Sequence, residues 1–307
     1  MTQVQTPTRA PARATAAAGA APLLRRRRLA GRDPSPLQQL IVYALLCAGA
    51  VGMIVPFIWM VSNSLKTDAE ARLVPPTLLP TQPLWSNYPE ALQMMGFGRA
   101  LANTVVITFC CVVGQVISSS LVGFGFARFR FRGREAMFLL MLSTMMLPGQ
   151  VTMIPVFILF RSLGWIDTFW PLIVPAWVAS PFFAFMFRQF FAQVPEELIE
   201  AARIDGASNW SIYWRMMLPL SSPVIAIVAI YTFMGTWNDF MGPLIYLNSP
   251  DHYTLALALN SFNGQYGVQH VNLLMAASVV TALPCIVLFF AAQKYFVESV
   301  AMTGMKG

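Results

Sequence analysis

Six long apolar stretches, separated by shorter polar segments, dominate the pattern of residues along this chain. A helix that spans a membrane needs about 20 mainly apolar residues, and the stretches of this length are residues 38–62, 99–124, 136–160, 168–190, 223–247 and 272–293. The third stretch has no charge between Glu135 and Arg161, and the fifth has only Asp239. The pattern therefore predicts an all-α integral membrane protein with six transmembrane helices.

The composition agrees with a membrane protein. Hydrophobic residues make up 57% of the chain and charged residues 11%, and the mean hydropathy is +0.60. Soluble domains carry about 25% charged residues. Two residue types that often bind metals give no cluster: the two histidines flank one polar loop, and the cysteines fall inside predicted spans, where we interpret them as packing residues. These are Cys47, Cys110, Cys111, Cys285, His252 and His270.

The basic residues predict the orientation of the spans. Cytoplasmic loops of membrane proteins carry an excess of lysine and arginine. If the N-terminus is inside, 16 of the 20 basic residues lie in inner segments, and the outer segments hold only Lys66, Arg72, Arg99 and Arg161. Both termini are therefore predicted to be cytoplasmic. Orientation and anionic lipid account for the net charge of +7 without nucleic acid.

The chain is predicted to have a tail and one membrane domain. Residues 1–36 are rich in alanine, proline, threonine and arginine, which predicts a disordered cytoplasmic tail. The alternative is a cleaved signal peptide, with small residues at 48–50 as the cleavage site. The apolar stretch continues to Leu65 and is too long for a signal core, so an uncleaved first span is favoured. Residues 37–307 then form the six-span domain.

A polar segment between the fourth and fifth spans, residues 195–222, predicts a short helix, a tight turn and a second short helix. Pro195 suits the first position of a helix. Glu200 lies early in that helix, where the positive end of the helix dipole favours a negative charge. Gly206 can adopt the left-handed conformation that ends a helix. Ser208 can cap a second helix of residues 209–217, which Pro219 is expected to stop. An ordinary connecting loop is the alternative interpretation.

The fifth span contains the sequence Thr-Trp-Asn-Asp-Phe at residues 236–240. Asp239 is its one strongly ionisable residue, and such a residue is costly in lipid, so it is expected to face a cavity or a partner. Three interpretations stay open: a residue of a transport path, a hydrogen-bond hub between helices, or a wetted residue near the outer interface.

Several motifs in chain order resemble the ABC importer permeases of the carbohydrate type. The sequence Glu-Ala-Ala at 200–202, with Gly206 and then Leu-Pro at 218–219, resembles their cytoplasmic "EAA" loop. Similar features are the beginning of the second span at 84–104, the basic and aromatic inner loop 123–135, the Trp-Asn-Asp of the fifth span, the outer loop 248–271 and the final Lys-Gly.

The resemblance implies a type I ABC importer permease fold and three sets of site residues. The residues implied to couple the chain to an ATPase are Glu200, Ala201, Ala202, Asp205, Gly206, Leu218 and Pro219. Those implied to line a substrate path are Trp237, Asn238 and Asp239. Those implied to contact a binding protein are Asn260, Phe262, Gly264 and Tyr266.

The resemblance also implies the function and the partners. The chain is expected to be a multi-pass subunit of a prokaryotic cytoplasmic membrane that translocates a sugar, polyol or oligosaccharide. Its implied partners are a second homologous permease, an ABC ATPase dimer, an extracytoplasmic solute-binding protein and membrane lipid. No phosphate-binding loop or catalytic motif occurs in the sequence, so we expect no enzyme activity or cofactor in this chain, with ATP and magnesium on the ATPase. An ion-coupled secondary transporter and a membrane scaffold are the alternatives.

Overall fold

Helices form the regular structure of the chain, and no strand occurs in residues 35–262 and 270–304, which the computed structural model describes. The helices of the first half are α1 Pro36–Ser64, α2 Asp68–Ala71, α3 Asn87–Met94, α4 Phe97–Arg128, α5 Arg134–Ser143 and α6 Gly149–Ser162. Those of the second half are α7 Trp170–Ile173, α8 Pro181–Gln193, α9 Glu196–Ile204, α10 Asn209–Ile212, α11 Leu218–Leu220, α12 Ser222–Trp237, α13 Met241–Tyr246, α14 Leu255–Ala258 and α15 Val271–Gly304.

The chain divides into two units at residue 54. In the first unit, the described residues form the beginning of α1, and all of their side chains are exposed although most are apolar. An apolar helix surface of this kind is suited to lipid rather than to water. The second unit, from Val55 onwards, contains the packed core.

Helix α4 is the central element of the second unit and packs against α8 and α12. It is 32 residues long and its apolar sequence contains no proline, so nothing interrupts its backbone hydrogen bonds. Gly123 allows α8 to come close, since a Cβ at this position would lie 2.5 Å from Phe187 Cβ. Gly125, two residues later, has open space around it.

Two hydrophobic clusters lie near the two ends of α4. The first contains Ala100 at the beginning of the helix, together with buried residues of α3, α12, α14 and α15. The second contains Phe124 near its end, together with buried residues of α8, α9, α10 and α12. The core therefore attaches each end of α4 to a different connecting segment.

The predicted all-α membrane architecture is confirmed, with corrections to single spans. Four spans are long and apolar enough to cross a membrane, and two bent helix pairs bring the total to six in the described residues. The third predicted span is broken, because the segment Arg134–Met146 meets α6 at 97°. Pro148 precedes α6 there and has an extended conformation, and the residue before a proline disfavours helix as well.

The fifth predicted span is also shorter than expected. Helix α12 ends at Trp237, and α13 begins only at Met241. At its other end, α12 meets the segment Asn209–Leu220 at 75°. The polar residues Asn238 and Asp239 occupy the gap, where side chains that hydrogen-bond to nearby backbone compete with helical hydrogen bonds.

The segment between α1 and α4, residues 65–96, is rich in proline and is called the proline-rich segment. It contains only the short helices α2 and α3, because prolines prevent one long helix. Its core is polar: Lys66 is fully buried, and its Nζ donates to Asn63 Oδ1 at 3.0 Å and to the carbonyl of Thr77. Asn87 Nδ2 donates to the carbonyls of Ser64 and Lys66, both at 2.8 Å. Hydrogen bonds therefore satisfy the buried Lys66 ammonium and the Asn87 amide N–H groups.

Candidate functional site

The segment 195–222, called the EAA segment below, has the predicted helix, turn and helix. Pro195 precedes α9, and Glu196 and Glu197 lie in its first turn. The helix ends through Gly206, which has a φ of +81°. The N–H of Ala207 donates to the carbonyl of Ala202 at 2.9 Å across this turn. Glycine is the residue that adopts this left-handed conformation without strain.

The second helix starts as predicted but ends later. The Ser208 hydroxyl accepts from the N–H of Ser211 at 3.2 Å and caps the helix. A π-helical turn, Tyr213–Met217, follows α10, and the chain stays helical to Leu220. Pro219 therefore does not stop the helix at 217. The wider turn shifts the hydrogen-bond register just before the proline, which has no N–H to donate.

One face of the EAA segment is anchored in the core. Ile199 of α9 and Ile212, Tyr213 and Met217 of the second helix are buried against Phe124 and residues of α8. The Tyr213 hydroxyl forms a buried hydrogen bond of 2.7 Å with the Ser120 hydroxyl of α4. A buried polar pair of this kind fixes one docking geometry better than apolar contacts alone.

Five of the seven predicted coupling residues are exposed, whereas Ala202 and Leu218 pack against the anchoring cluster. Glu200, Ala201, Asp205, Gly206 and Pro219 are exposed, and Ala202 and Leu218 are half-buried. Large apolar side chains that were not predicted are exposed on the same segment, and the two most exposed are Ile204, at 86%, and Trp210, at 60%. Large apolar side chains grouped on a polar segment are typical of a protein interface.

The EAA segment and the polar loop before α15 contact opposite ends of α4. Phe124 and Ser120 contact the EAA segment near the end of the helix, and Arg99 and Asn103 contact Asp251 near its beginning. The contacting residues Arg99 and Phe124 are about 38 Å apart along a continuous helix at 1.5 Å per residue. This exceeds the hydrocarbon thickness of about 30 Å, so the two segments lie on opposite sides of a membrane that α4 crosses.

The residues predicted to line a substrate path do not converge on one cavity. Trp237 is buried, stacks on Phe233 and donates from Nε1 to the carbonyl of Thr281 at 3.3 Å. Trp237 and Asn238 both border a cavity of about 350 Å³ next to Thr281. Asp239 points elsewhere: its Oδ1 accepts from the N–H of Gly242 at 3.1 Å, in the first turn of α13.

A second cavity, of about 370 Å³, lies between α6 and α13 and is lined by Gln150, Thr152 and Tyr246 among other residues. Gly242 also lines it, and a Cβ on Gly242 would lie 2.5 Å from Asp239 Oδ2. Asp239 therefore stabilises one wall of this cavity. This arrangement accords with a structural role for its carboxylate.

The loop of residues 247–262, called the outer-end loop below, contains two of the four predicted contact residues. Asn260 is exposed. Phe262 is buried in the core, so its side chain supports the loop from within. Gly264 and Tyr266 lie outside the described residues.

Polar contacts hold the outer-end loop to the beginning of α4. Asn103 Nδ2 donates to the carbonyls of Asp251 and Tyr253 at 2.9 and 3.0 Å, and Arg99 forms an ion pair with Asp251. The buried Thr104 hydroxyl accepts from the N–H of Leu255 at 2.8 Å.

Asp167, between α6 and α7, makes the second attachment of the outer-end loop. Its carboxylate accepts from the N–H groups of Asn248 and Ser249, both at 2.9 Å, and from the Ser249 hydroxyl. His252 Nδ1 lies 3.1 Å from the same carboxylate. The hydrogen bond from the Ser249 hydroxyl, with those from the backbone, holds the pKa of Asp167 well below its usual range.

Comparisons with known proteins agree with this architecture. Residues 119–302 match the family described as "Binding-protein-dependent transport system inner membrane component". The chain is 39% identical to the arabinooligosaccharides transport system permease protein AraQ of Halalkalibacterium halodurans over 205 residues, which are 67% of this chain and 73% of that protein. It is 30% identical to the lactose transport system permease protein LacG of Rhizobium radiobacter over 262 residues, 85% and 94% of the two chains.

The fold is also known from a crystal structure of a bacterial ABC transporter involved in the import of the acidic polysaccharide alginate. The TM-score is 0.75 at 24% sequence identity, over 85% of this chain and 96% of that chain. Family match, relatives and fold lead to one conclusion. This chain belongs to the family of inner-membrane permease components of binding-protein-dependent transport systems.

Proposed function

We propose that this chain is one of two permease subunits of an ATP-driven importer for an oligosaccharide or a related polyol. In this proposal the EAA segment docks onto an ABC ATPase on the cytoplasmic side, and the outer-end loop faces an extracytoplasmic solute-binding protein. ATP and magnesium are bound by the ATPase subunits rather than by this chain.

The exposed surface of the EAA segment carries the proposal. The EAA segment is anchored to α4 and α8 through its buried residues and exposes Ile204 and the small residue Ala201 of α9 and Trp210 of α10. Small residues let a second protein approach the helix backbone closely, and large apolar residues gain free energy when a partner covers them. A segment attached to the ends of two spanning helices can pass a displacement on to both.

The proposed cycle requires a difference in binding between two states. ATP closes the ATPase dimer, and the EAA segment follows that closure. A partner shifts a conformational equilibrium only by its differential affinity for the two states. The EAA segment must therefore bind the ATP-closed and open ATPase dimers with different affinities. The EAA segment and the outer-end loop both contact α4, so this helix connects the cytoplasmic side with the extracytoplasmic side.

The solute class is inferred from the relatives. Two of them are named for the transport of arabino-oligosaccharides and of lactose, and the structural neighbour is named for alginate import. Groups that bind sugar hydroxyls line the cavity between α6 and α13, among them Gln150, Thr152 and Tyr246. The lining contains no charged residue, which favours a neutral solute at this position.

Purification of the tagged chain with its co-expressed partners tests the proposal. We expect the wild-type chain to retain the ATPase. In lipid nanodiscs, ATP hydrolysis should rise when the binding protein is added together with one of three sugars: arabinotriose, lactose or an alginate trisaccharide. Ile204→Asp should reduce ATPase retention. Leu79→Asp, which changes an equally exposed leucine of the proline-rich segment, should not. Purification of a stable chain without any ATPase would contradict the proposal and favour an ion-coupled transporter or a scaffold.

A further inference from the structure

The joint between α8 and α9 has an unusual hydrogen-bond requirement. The two helices are separated by Val194 and Pro195, whose backbones are extended, with ψ of 126° and 138°. In a continuous helix the carbonyl of Phe191 would accept from the N–H of residue 195. Proline has no N–H, so this carbonyl, at the negative end of α8, needs another donor. The N–H of Val194 reaches it only at 3.3 Å.

The missing donor comes from Arg128, the last residue of α4. Its Nη2 donates to the carbonyl of Phe191 and, at 2.6 Å, to the carbonyl of Val194. The side chain is only 9% exposed. A guanidinium at the C-terminal end of a helix is favoured by the helix dipole as well as by the hydrogen bonds. Arg128 therefore caps α8 from a neighbouring helix.

The same guanidinium also reaches the coupling helix. Arg128 Nη1 lies 3.5 Å from Glu196 Oε2, in the first turn of α9. This contact is the longest of the three, and Glu196 is 58% exposed. Arg128 Nε is buried without a hydrogen-bond partner. Among the contacts of Arg128, the one to Glu196 is thus the one that a movement of α9 changes most easily.

The neighbouring basic residues of the same loop do not share this position. Arg130 and Arg132 are exposed and form no ion pair with any residue that the structure describes. Arg134 and Arg188 both pair with Glu135, at 2.9 and 2.8 Å, and the pair with Arg188 connects α5 with α8. Arg132 therefore offers a matched control with the same charge in the same loop, but without the contacts to the joint.

We propose that Arg128 is a positioning residue that stiffens the joint between α8 and α9, so that a displacement of the coupling helix reaches α4 and α8 instead of being absorbed at Val194 and Pro195. This inference rests on the proposed function of the EAA segment. It adds a specific residue, outside the Glu-Ala-Ala motif, through which the displacement passes. Without Arg128 the ATPase can still dock, but its closure no longer moves the spans reliably.

The experiment uses the complete transporter in nanodiscs. ATP hydrolysis is measured with and without the binding protein, which carries whichever of the three sugars stimulates the wild-type transporter most. Arg128→Gln should leave ATPase retention intact and reduce the stimulation ratio about fivefold or more, the size of a typical coupling between sites. Arg128→Lys, which keeps a donor for the carbonyls, should recover part of the ratio. Arg132→Gln should behave as wild type.

Glu196→Gln provides the second test, because it removes only an exposed charge and leaves the cap of α8 in place. It should reduce the ratio by about twofold, in line with a partly exposed ion pair. If Arg128→Gln fails to assemble, this variant decides: an unchanged ratio overturns the inference. An unchanged ratio in assembled Arg128→Gln does the same. A wild-type chain that retains no ATPase overturns the proposed function, and the role of Arg128 with it.

Discussion

The EAA segment and the outer-end loop contact opposite ends of the same helix by different means. The EAA segment is held mainly by buried apolar and aromatic side chains, with a hydrogen bond between the Tyr213 and Ser120 hydroxyls and the long ion pair of Arg128 and Glu196. The outer-end loop also has an apolar anchor, through Leu255, Ala258 and Phe262. It is held in addition by the ion pair of Arg99 and Asp251, by hydrogen bonds from the Asn103 side-chain amide and by the carboxylate of Asp167. Apolar contact is insensitive to salt and pH, whereas exposed ion pairs are weakened by salt.

The difference suits two different tasks. An element that transmits force has to move as a body with the helices that it is packed against, and a close-packed core behaves in that way. An element that receives a soluble protein has to rearrange its polar contacts at low cost, and exposed ion pairs contribute only about 0–1 kcal/mol each. The predictions below separate these two modes of attachment.

Loss of the Tyr213 side chain should have the largest effect on stability. Tyr213 is fully buried between the EAA segment and α4, and replacing a large buried aromatic residue by alanine costs about 3–5 kcal/mol. Tyr213→Ala should therefore lower the thermal unfolding midpoint of the purified chain strongly. Tyr213→Phe loses only the hydrogen bond to Ser120, worth about 1 kcal/mol. Equal midpoints for the two variants would show that apolar packing does not anchor the EAA segment.

Gly206→Val should disrupt the turn of the EAA segment without disturbing its anchor. No atom lies within 4 Å of the position of an added Cβ, so the penalty is the backbone strain of a β-branched residue at positive φ, about 1–3 kcal/mol. We expect normal membrane abundance and reduced retention of the ATPase in a pull-down. Asparagine tolerates this conformation, so Gly206→Asn is the control and should retain the ATPase. A Gly206→Val chain with full retention contradicts the proposed role of the turn.

Asp239→Leu tests the break between α12 and α13. It removes the acceptor for the N–H of Gly242 and should cost about 0.5–2 kcal/mol, as the loss of a helix cap does. Asp239→Asn keeps an acceptor oxygen and should lose less stability. If both variants are as stable as wild type but both abolish sugar uptake, the carboxylate serves the transport path directly instead of the cavity wall.

The smallest effect near neutral pH is expected for the Asp167 attachment. Its pKa is lowered in the folded chain, so its stabilising contribution is complete above the unfolded pKa of about 3.9 and is lost as the pH falls through the folded value. The protection factors of the amides of Asn248 and Ser249 against hydrogen exchange should therefore stay constant between pH 5 and 8, and should fall only below about pH 4.

Asp167→Asn provides the control for this attachment. Asn tolerates the positive φ of 62° at position 167, so the backbone stays intact while the titrating group is lost. Above about pH 4 the variant should show lower protection factors for both amides than wild type, and it should lack the acid-dependent step. The same acid step in wild type and variant would assign it to another group.

The sequence predicts the spans and the EAA turn because both depend on local chemistry. Apolar length defines α1, α4 and α15, and the serine cap and left-handed glycine define the two short helices of the EAA segment. The break at Pro148 and the helical course through Pro219 depend on neighbouring helices, and prolines occur both at breaks and within helices such as α6. The presence of a proline in the sequence therefore does not tell whether a helix breaks there or continues.

The contacts of single residues could not be predicted from the sequence either. Arg128 is one of four arginines alternating with other residues in one loop, and only its packing against the end of α8 sets it apart. Asn103 and Thr104 end the segment 84–104, which resembles a family pattern, and the structure shows that both hold a loop about 150 residues away in sequence. Such long-range pairs leave no periodic pattern in the chain.

Site-specific photo-crosslinking from Ile204 in intact cells tests the central claim most directly. A benzophenone amino acid at this highly exposed position of the EAA segment should give an ultraviolet-dependent product with the ATPase subunit, identified by mass spectrometry, and none with the solute-binding protein. The same probe at Asn260 of the outer-end loop should give the reverse result. ATPase products from Asn260, or binding-protein products from Ile204, would contradict the assignment of the two loops.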